Sequence, residues 1–384
     1  MAELAYAQRL GRCPVRVRGS NPLGGTNEDM KKKFALTPEG LLYLLVVLLG
    51  TIVAVFRSRF REGDDLGQYV AYYAGLLFGP VVEALLGYAG AIALFLFIAF
   101  GIGVVYSGLK KHHPLYSLSL VFGRVARRWW RERFFLFLRV GVPVILVFFF
   151  GGLIMSYLNM FNSVRLMDAT VAEWDRFLLG DYPFLSIYEV QYSSFLVWAI
   201  VQSFSYLPFA FFALFFLVLA IRPEVFIRMA VTFSMALVFS IPLWNAFPVL
   251  SPHDRYLDNV YQLPLTEDIQ ERLRQFSPQP EIREYLGAAR EEKTKRLQTY
   301  YPTSTLPSAH VQWAVFLIYF SYLIDRRWLW FTVPVGVLSS IGTFFLAQHY
   351  VVDVPAGVLV AVVMIWIVNK LFNGASNSYK RSEF

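Results

Sequence analysis

The chain has a single cysteine, Cys13, in 384 residues. One thiol closes no intramolecular disulfide and supplies no cysteine-rich metal site, so disulfide scaffolds and zinc modules are excluded as organising devices. Charge is scarce as well: Asp, Glu, Lys and Arg make up 16% of the chain, well below the share usual in soluble domains. With 57% hydrophobic residues and 36 phenylalanines, lipid is the expected solvent. The net charge of +8 does not point to nucleic acid, because the basic residues fall in short clusters between apolar runs rather than along one face. The first 33 residues hold no apolar run long enough for a signal-peptide core. They carry Arg12, Arg16, Arg18 and Lys31 to Lys33 among Gly, Asn and Pro, and read as a flexible cytoplasmic tail.

Apolar runs near the roughly 20 residues that cross a bilayer occur at 37–56, 80–109, 134–158, 195–221, 229–247, 309–324, 328–348 and 354–371. This predicts an all-α polytopic fold with eight transmembrane helices. The connections alternate in charge. Lys110, Lys111, Arg127, Arg128, Arg222, Arg228, Arg326 and Arg327 fall on one side, whereas the 159–194 connection is acidic on balance, with Asp168, Glu173, Asp175, Asp181 and Glu189. The positive-inside bias therefore places both termini in the cytoplasm, with the cell membrane as the expected location. Residues 114–133 mix Trp129, Trp130 and several leucines with five arginines, as an interfacial helix does. The outward loop 248–307 holds two short amphipathic helices, one after Thr266 with Glu267 and Asp268 in its first turn, the other over 280–297. The expected organisation is a tail (1–36), two additional spans with the interfacial helix (37–133), a six-span core (134–371) and a second cytoplasmic tail (372–384).

Histidine is rare: His112, His113, His253, His310 and His349. The first two belong to a basic turn and are solvated. His310 and His349 each sit where an expected span meets the outer surface, so helices running in opposite directions can bring them to one depth. Ionisable groups at such positions are costly and tend to be functional, in catalysis or in ion handling. Pro307-Ser308-Ala309-His310 begins a span, with Pro307 suited to the first helical turn and the following amides facing outward as an anion site. Ser308 adds a hydroxyl donor. His349 and Asp353 are four apart, the spacing that puts a carboxylate beside an imidazole on one helical face. The carboxylate can accept from one ring nitrogen and fix the tautomer, leaving the other nitrogen as a nucleophile.

These residues carry a resemblance. Pro307-Ser308-Ala309-His310, followed by His349-Tyr350-Val351-Val352-Asp353-Val354-Pro355-Ala356-Gly357, resembles the second and third motifs of the type-2 phosphatidic acid phosphatase superfamily. The His-Tyr-x-x-Asp form is most similar to the inositol phosphorylceramide synthase-like branch. Trp174-Asp175-Arg176-Phe177-Leu178-Leu179-Gly180-Asp181-Tyr182-Pro183 resembles the outward loop of the same branch. The likeness covers roughly 134–371. It implies a metal-independent, cofactor-free lipid phosphatase or phosphotransferase: His349 attacks phosphorus to give a phosphohistidine, Asp353 orients and stabilises it, and His310 protonates the leaving oxygen. Water or an alcohol acceptor then takes the phosphoryl group from the lipid donor.

The chain departs from the family pattern in two places. Gly342 and Thr343 stand where the third motif usually has Ser-Arg, and the first motif, Lys-x6-Arg-Pro, is absent. Cationic phosphate ligands are therefore expected from the outer loop: Arg255 first, then Lys293, Lys295 and Arg296. Each also reads as a solvated loop charge. The competing expectations are an ion- or proton-coupled transporter using the same His and Asp residues, and a catalytically silent scaffold on the same fold.

Overall fold

The computed structural model describes residues 37–57, 131–162, 166–259, 262–296 and 305–380, which are helical with no strand among them. The helices are α1 (Pro38–Arg57), α2 (Val142–Asn162), α3 (Asp168–Leu179), α4 (Pro183–Ser186), α5 (Ser194–Ile221), α6 (Pro223–Ala246), α7 (Glu267–Gln275), α8 (Pro280–Arg296), α9 (Ala309–Ile324), α10 (Leu329–Phe345) and α11 (Asp353–Lys380). Six helical segments are long and apolar enough to cross a membrane, and α9 is a shorter apolar helix. The chain is thus a polytopic all-α membrane protein.

Seven of the eight expected spans are present, and the eighth, at 80–109, lies outside the described residues, as does most of the interfacial segment 114–133. Two boundaries move for identifiable reasons. The helix α6 begins at Pro223 rather than near 229, because Pro at the first position and Glu224 in the first turn suit a helix start. At the other boundary α10 stops at Phe345 rather than 348, because Ala347 takes a left-handed φ of 53° that no α-helix continues through.

The bundle is organised around α9, which packs against α5, α6, α10 and α11. Its Val311, Ala314, Phe316, Leu317 and Phe320 are all buried, as expected of a helix apolar on every side. At about 1.5 Å per residue its 16 residues span roughly 24 Å, less than a bilayer core. The consequence is a recessed start. His310, one residue into α9, lies against Phe204, ten residues or roughly 15 Å along α5 from Ser194. The helix α1 packs on α2 and α6 through Leu45, Leu49, Val147, Ile154 and Ile241.

A second layer covers the end of the bundle where α9 begins. Val171 and Ala172 of α3, Tyr182, Phe184 of α4, Val249, Tyr256 and Tyr350 form its core. Phe184 stacks on Tyr256 with centroids 4.6 Å apart and meets Tyr350 edge-on at 6.3 Å. The two expected loop helices are α7 and α8. Thr266 holds the N-cap position of α7 without a side-chain capping bond, while Arg272 of α7 pairs with Asp181 and Glu189.

Candidate functional site

Ser308 is the N-cap of α9. Its backbone is extended and its Oγ accepts from the Val311 amide at 3.3 Å, satisfying one of the donors that a helix start leaves open. Pro307 therefore lies ahead of the cap and not in the first helical turn, because the serine side chain takes the capping position. The Pro307 carbonyl instead accepts from Trp244 Nε1 of α6 at 2.9 Å. Gly357, in the first turns of α11, is required by this packing: a Cβ there would stand 2.6 Å from the Ser308 carbonyl oxygen.

His349 sits in the loop between α10 and α11. After the left-handed Ala347, the amides of Gln348 and His349 both donate to the Thr343 carbonyl at 2.9 Å, which turns the chain back toward the bundle. The expectation that His349 and Asp353 share one helical face is corrected here. Asp353 is the first residue of α11 and His349 precedes the helix, so the pair meets across a turn. The contact forms nonetheless: His349 Nδ1 lies 3.1 Å from Asp353 Oδ2 and 3.0 Å from the Thr305 carbonyl oxygen. Asp353 Oδ2 also accepts from the Tyr350 amide at 3.1 Å.

These contacts determine the tautomer. Nδ1 faces two acceptors and no donor, so it carries the hydrogen, and the lone pair is on Nε2. Ser308 Oγ lies 3.2 Å from Nε2. Because that oxygen already accepts from Val311, its hydrogen is free to point at the Nε2 lone pair. Asp353 is fully buried and Ser308 likewise, while the His349 side chain is 13% exposed.

His310 is oriented differently. Its Nε2 lies 3.0 Å from the Phe204 carbonyl of α5, and its ring stacks on Phe204 with centroids 4.2 Å apart. The carbonyl can only accept, so Nε2 is the N–H and Nδ1 is the nitrogen available for proton exchange.

The remaining expected ligands are placed as follows. Arg255, in a π turn at His253–Leu257, donates to the carbonyls of Leu263 (3.4 Å) and Pro264 (2.6 Å) and lies over the Tyr256 ring. Its guanidinium is thus occupied by loop backbone. Lys293, Lys295 and Arg296 end α8, and their side chains lie outside the described ones. Where the family pattern has Ser-Arg, no side chain fits at Gly342, whose Cβ would come within 2.8 Å of Phe204 Cβ. Thr343 is buried and donates from Oγ1 to the Ser340 carbonyl at 2.6 Å. Among the described residues, no group of three or more His, Cys, Asp or Glu side chains is arranged to hold a metal ion.

Three buried groups bear on the site that sequence reasoning did not single out. Asp175 of α3, 1% exposed, accepts from the consecutive amides of Val351 (2.8 Å) and Val352 (2.9 Å) inside the His349–Asp353 loop. Asp168, two turns earlier on the same helix, accepts from the Leu250 amide at 2.5 Å. Burial pushes both carboxyls up to about 6, against the opposing pull of the amides they accept from. His253 is fully buried among Asp254, Asp258 and the Leu286 carbonyl, and its own amide donates to the Ala347 carbonyl at 2.8 Å. Their sequence signal was the acidic 159–194 connection, the Trp174–Pro183 stretch that contains Asp175, and a lone loop histidine. Backbone acceptors and donors leave no mark in residue type.

A family model described as the PAP2 superfamily matches residues 169–367, just over half of the chain, and this stretch contains Asp175, Ser308, His310, His349 and Asp353. No curated protein and no solved structure matches the chain.

Proposed function

We propose, from the premise that the chain belongs to the PAP2 superfamily, that it is a membrane phosphatase or phosphotransferase acting on a lipid-linked phosphoester. His349 Nε2 attacks phosphorus, an N–P bond forms, and the ester P–O bond breaks. His310 enters the cycle as the imidazolium, with Nε2–H held by the Phe204 carbonyl and a second proton taken up at Nδ1 from solvent, and the departing alkoxide takes that Nδ1 proton. In the second half-reaction His310 removes a proton from water or an alcohol acceptor, whose oxygen displaces His349 from phosphorus. Asp353 stabilises the positive charge on the ring, and the Ser308 hydroxyl turns from Nε2 to a phosphoryl oxygen as substrate arrives. The amides at the start of α9 meet the remaining negative charge, so the scheme assigns no step to a metal.

The observation that carries this reading is the placement of His349 Nδ1 between two acceptors, with the Nε2 lone pair left beside a hydroxyl. The recessed start of α9 supports a lipid substrate, since a headgroup held there keeps its chains among apolar helices. The His-Tyr-x-x-Asp sequence favours transfer to an alcohol, as in the inositol phosphorylceramide synthase-like branch. Charge bias along the chain supports cytoplasmic termini and a site on the extracytoplasmic side of the cell membrane.

Rapid quench of the purified enzyme with a 32P-labelled lipid phosphate should trap acid-labile label on His349, and His349→Ala should abolish both label and turnover. Undiminished turnover in His349→Ala overturns the assignment. Adding a panel of alcohols separates the two outcomes: labelled phosphodiester marks a transferase, and free phosphate alone marks a phosphatase. Cysteine labelling at position 304 in a Cys13→Ser background tests sidedness, with modification from the cytoplasm alone reversing the topology.

A further inference from the structure

The loop that carries His349 is fixed at both ends by its own neighbourhood. At the start, the His349 amide donates to Thr343. Toward the end, the Asp353 amide donates to the Tyr350 carbonyl at 3.2 Å and the Val354 amide to the Val351 carbonyl at 3.1 Å. Between these anchors, the part-buried Val351 and Val352 amides find no acceptor within the loop, and an amide left unpaired away from water is costly. Both are taken by Asp175, which comes from a helix 176 residues earlier in the chain.

The form of this contact matters. One carboxylate accepts two consecutive N–H groups through separate oxygens, with near-equal lengths of 2.9 Å for Oδ1 and 2.8 Å for Oδ2. Bidentate, charge-assisted contacts of this kind fix orientation as well as distance. They fall on the two residues immediately before Asp353, whose Oδ2 must reach His349 Nδ1. The other end of the same helix face is anchored in parallel: Asp168 holds the Leu250 amide, and the adjoining turn returns to the catalytic loop through the His253 amide and the Ala347 carbonyl. Residues seven apart lie on one helical face, so α3 grips two loops that themselves touch.

We propose that Asp175 is a positioning residue for the reaction, setting the 349–353 loop so that Asp353 and His349 meet in the geometry that attack on phosphorus needs. This inference rests on the functional reading above. Asp175 touches no reacting atom in that scheme; its contacts in the loop are to main chain.

The test compares wild type, Asp175→Asn and Asp175→Glu as purified full-length protein in mixed micelles containing phosphatidate. Steady-state kinetics, single-turnover labelling of His349 and thermal unfolding are measured on the same preparations. Asparagine keeps one acceptor oxygen but turns an NH2 group toward the second amide. A misplacement of about 1 Å can cost on the order of 100-fold in rate, so kcat should fall by about 10- to 100-fold with KM within about twofold. His349 labelling should slow by the same factor while unfolding stays cooperative. A purely structural role predicts activity lost only in proportion to folded protein, and that outcome overturns the proposal. So does wild-type kcat, or a rise in KM at constant kcat. Should Asp175→Asn fail to fold, Asp175→Glu carries the same test, since it keeps both oxygens one methylene further out, and wild-type kcat there is equally fatal. Normal labelling of His349 in both wild type and variant sinks this inference alone. No labelling in any of the three proteins sinks the functional reading along with it.

Discussion

Replacing Asp353 with asparagine isolates the contribution of a charge from that of a shape. In the structure Asp353 Oδ2 accepts from His349 Nδ1 at 3.1 Å and from the Tyr350 amide at 3.1 Å, and an asparagine oxygen can take over both roles. What disappears is the negative charge beside a ring that, in the proposed mechanism, becomes cationic as it bonds to phosphorus. In a serine-protease triad the corresponding change costs about 10⁴-fold because the imidazole is left in the wrong tautomer. Here that part of the loss should be spared, because the Thr305 carbonyl, 3.0 Å from Nδ1, holds the hydrogen on that nitrogen without help from Asp353. The remaining loss is the difference between a hydrogen bond to a charged group, about 1.5 to 3 kcal/mol, and a neutral one, about 1 kcal/mol, which leaves about 0.5 to 2 kcal/mol. At about 1.4 kcal/mol per factor of ten this is roughly a 2- to 30-fold fall in kcat. Initial rates of phosphate release, measured against His349→Ala as the baseline, give the number directly. A rate within twofold of wild type would show that the Asp353 charge does not act on the reacting ring. A loss of about 10⁴-fold or more would show that Thr305 does not hold the tautomer.

Three further outcomes are expected. Ser308→Ala removes both the α9 cap and the hydroxyl at His349 Nε2, so thermal stability should drop by about 1 kcal/mol and the rate of His349 labelling should fall with it; a variant that loses stability alone would deny the hydroxyl a part in chemistry. Gly357→Ala forces a methyl to within 2.6 Å of the Ser308 carbonyl, and overpacking at a cost of about 1 to 3 kcal/mol should appear as a lower unfolding temperature, with wild-type stability refuting the close approach of α9 and α11. The Asp168 and Asp175 carboxyls, pushed up to about 6 by burial and faced by Arg255 and Asp353 respectively, should give activity and stability opposite pH trends. Since the fold raises their affinity for protons, their contribution to folding stability is greatest at acid pH and declines as pH rises through about 6, whereas the amide contacts need the ionised form and weaken as pH falls through the same range. Profiles of kcat and unfolding temperature between pH 5 and 7 check this, and kcat that stays flat over that interval contradicts it.

Much of the architecture can be read without coordinates because it follows from local rules. A run of apolar residues near bilayer length must be helical in lipid, since every backbone group has to be satisfied within the segment, and seven described helices fall on such runs. The helices α7 and α8 were likewise visible from Thr266, Glu267, Asp268 and Pro280. Ser308, His310, His349 and Asp353 stood out because polar side chains at the ends of apolar helices are rare and because their order matches a family pattern. Local rules also misplace details: four-residue spacing suggested a helical His349–Asp353 pair, whereas the left-handed Ala347 ends α10 and turns the contact into one across a loop.

The contacts that fix the chemistry had to await the folded chain. Which nitrogen of His349 bears the proton depends on a carbonyl at Thr305, and which nitrogen of His310 is open depends on a carbonyl at Phe204. The loop between His349 and Asp353 is held by a carboxylate from α3, far away in the chain. Every residue carries the same carbonyl and nearly every one the same amide, so composition and spacing cannot say which of them will face a given imidazole or carboxylate. Helical packing decides that, through the depth at which the short central helix α9 starts and the side from which α3 closes over it.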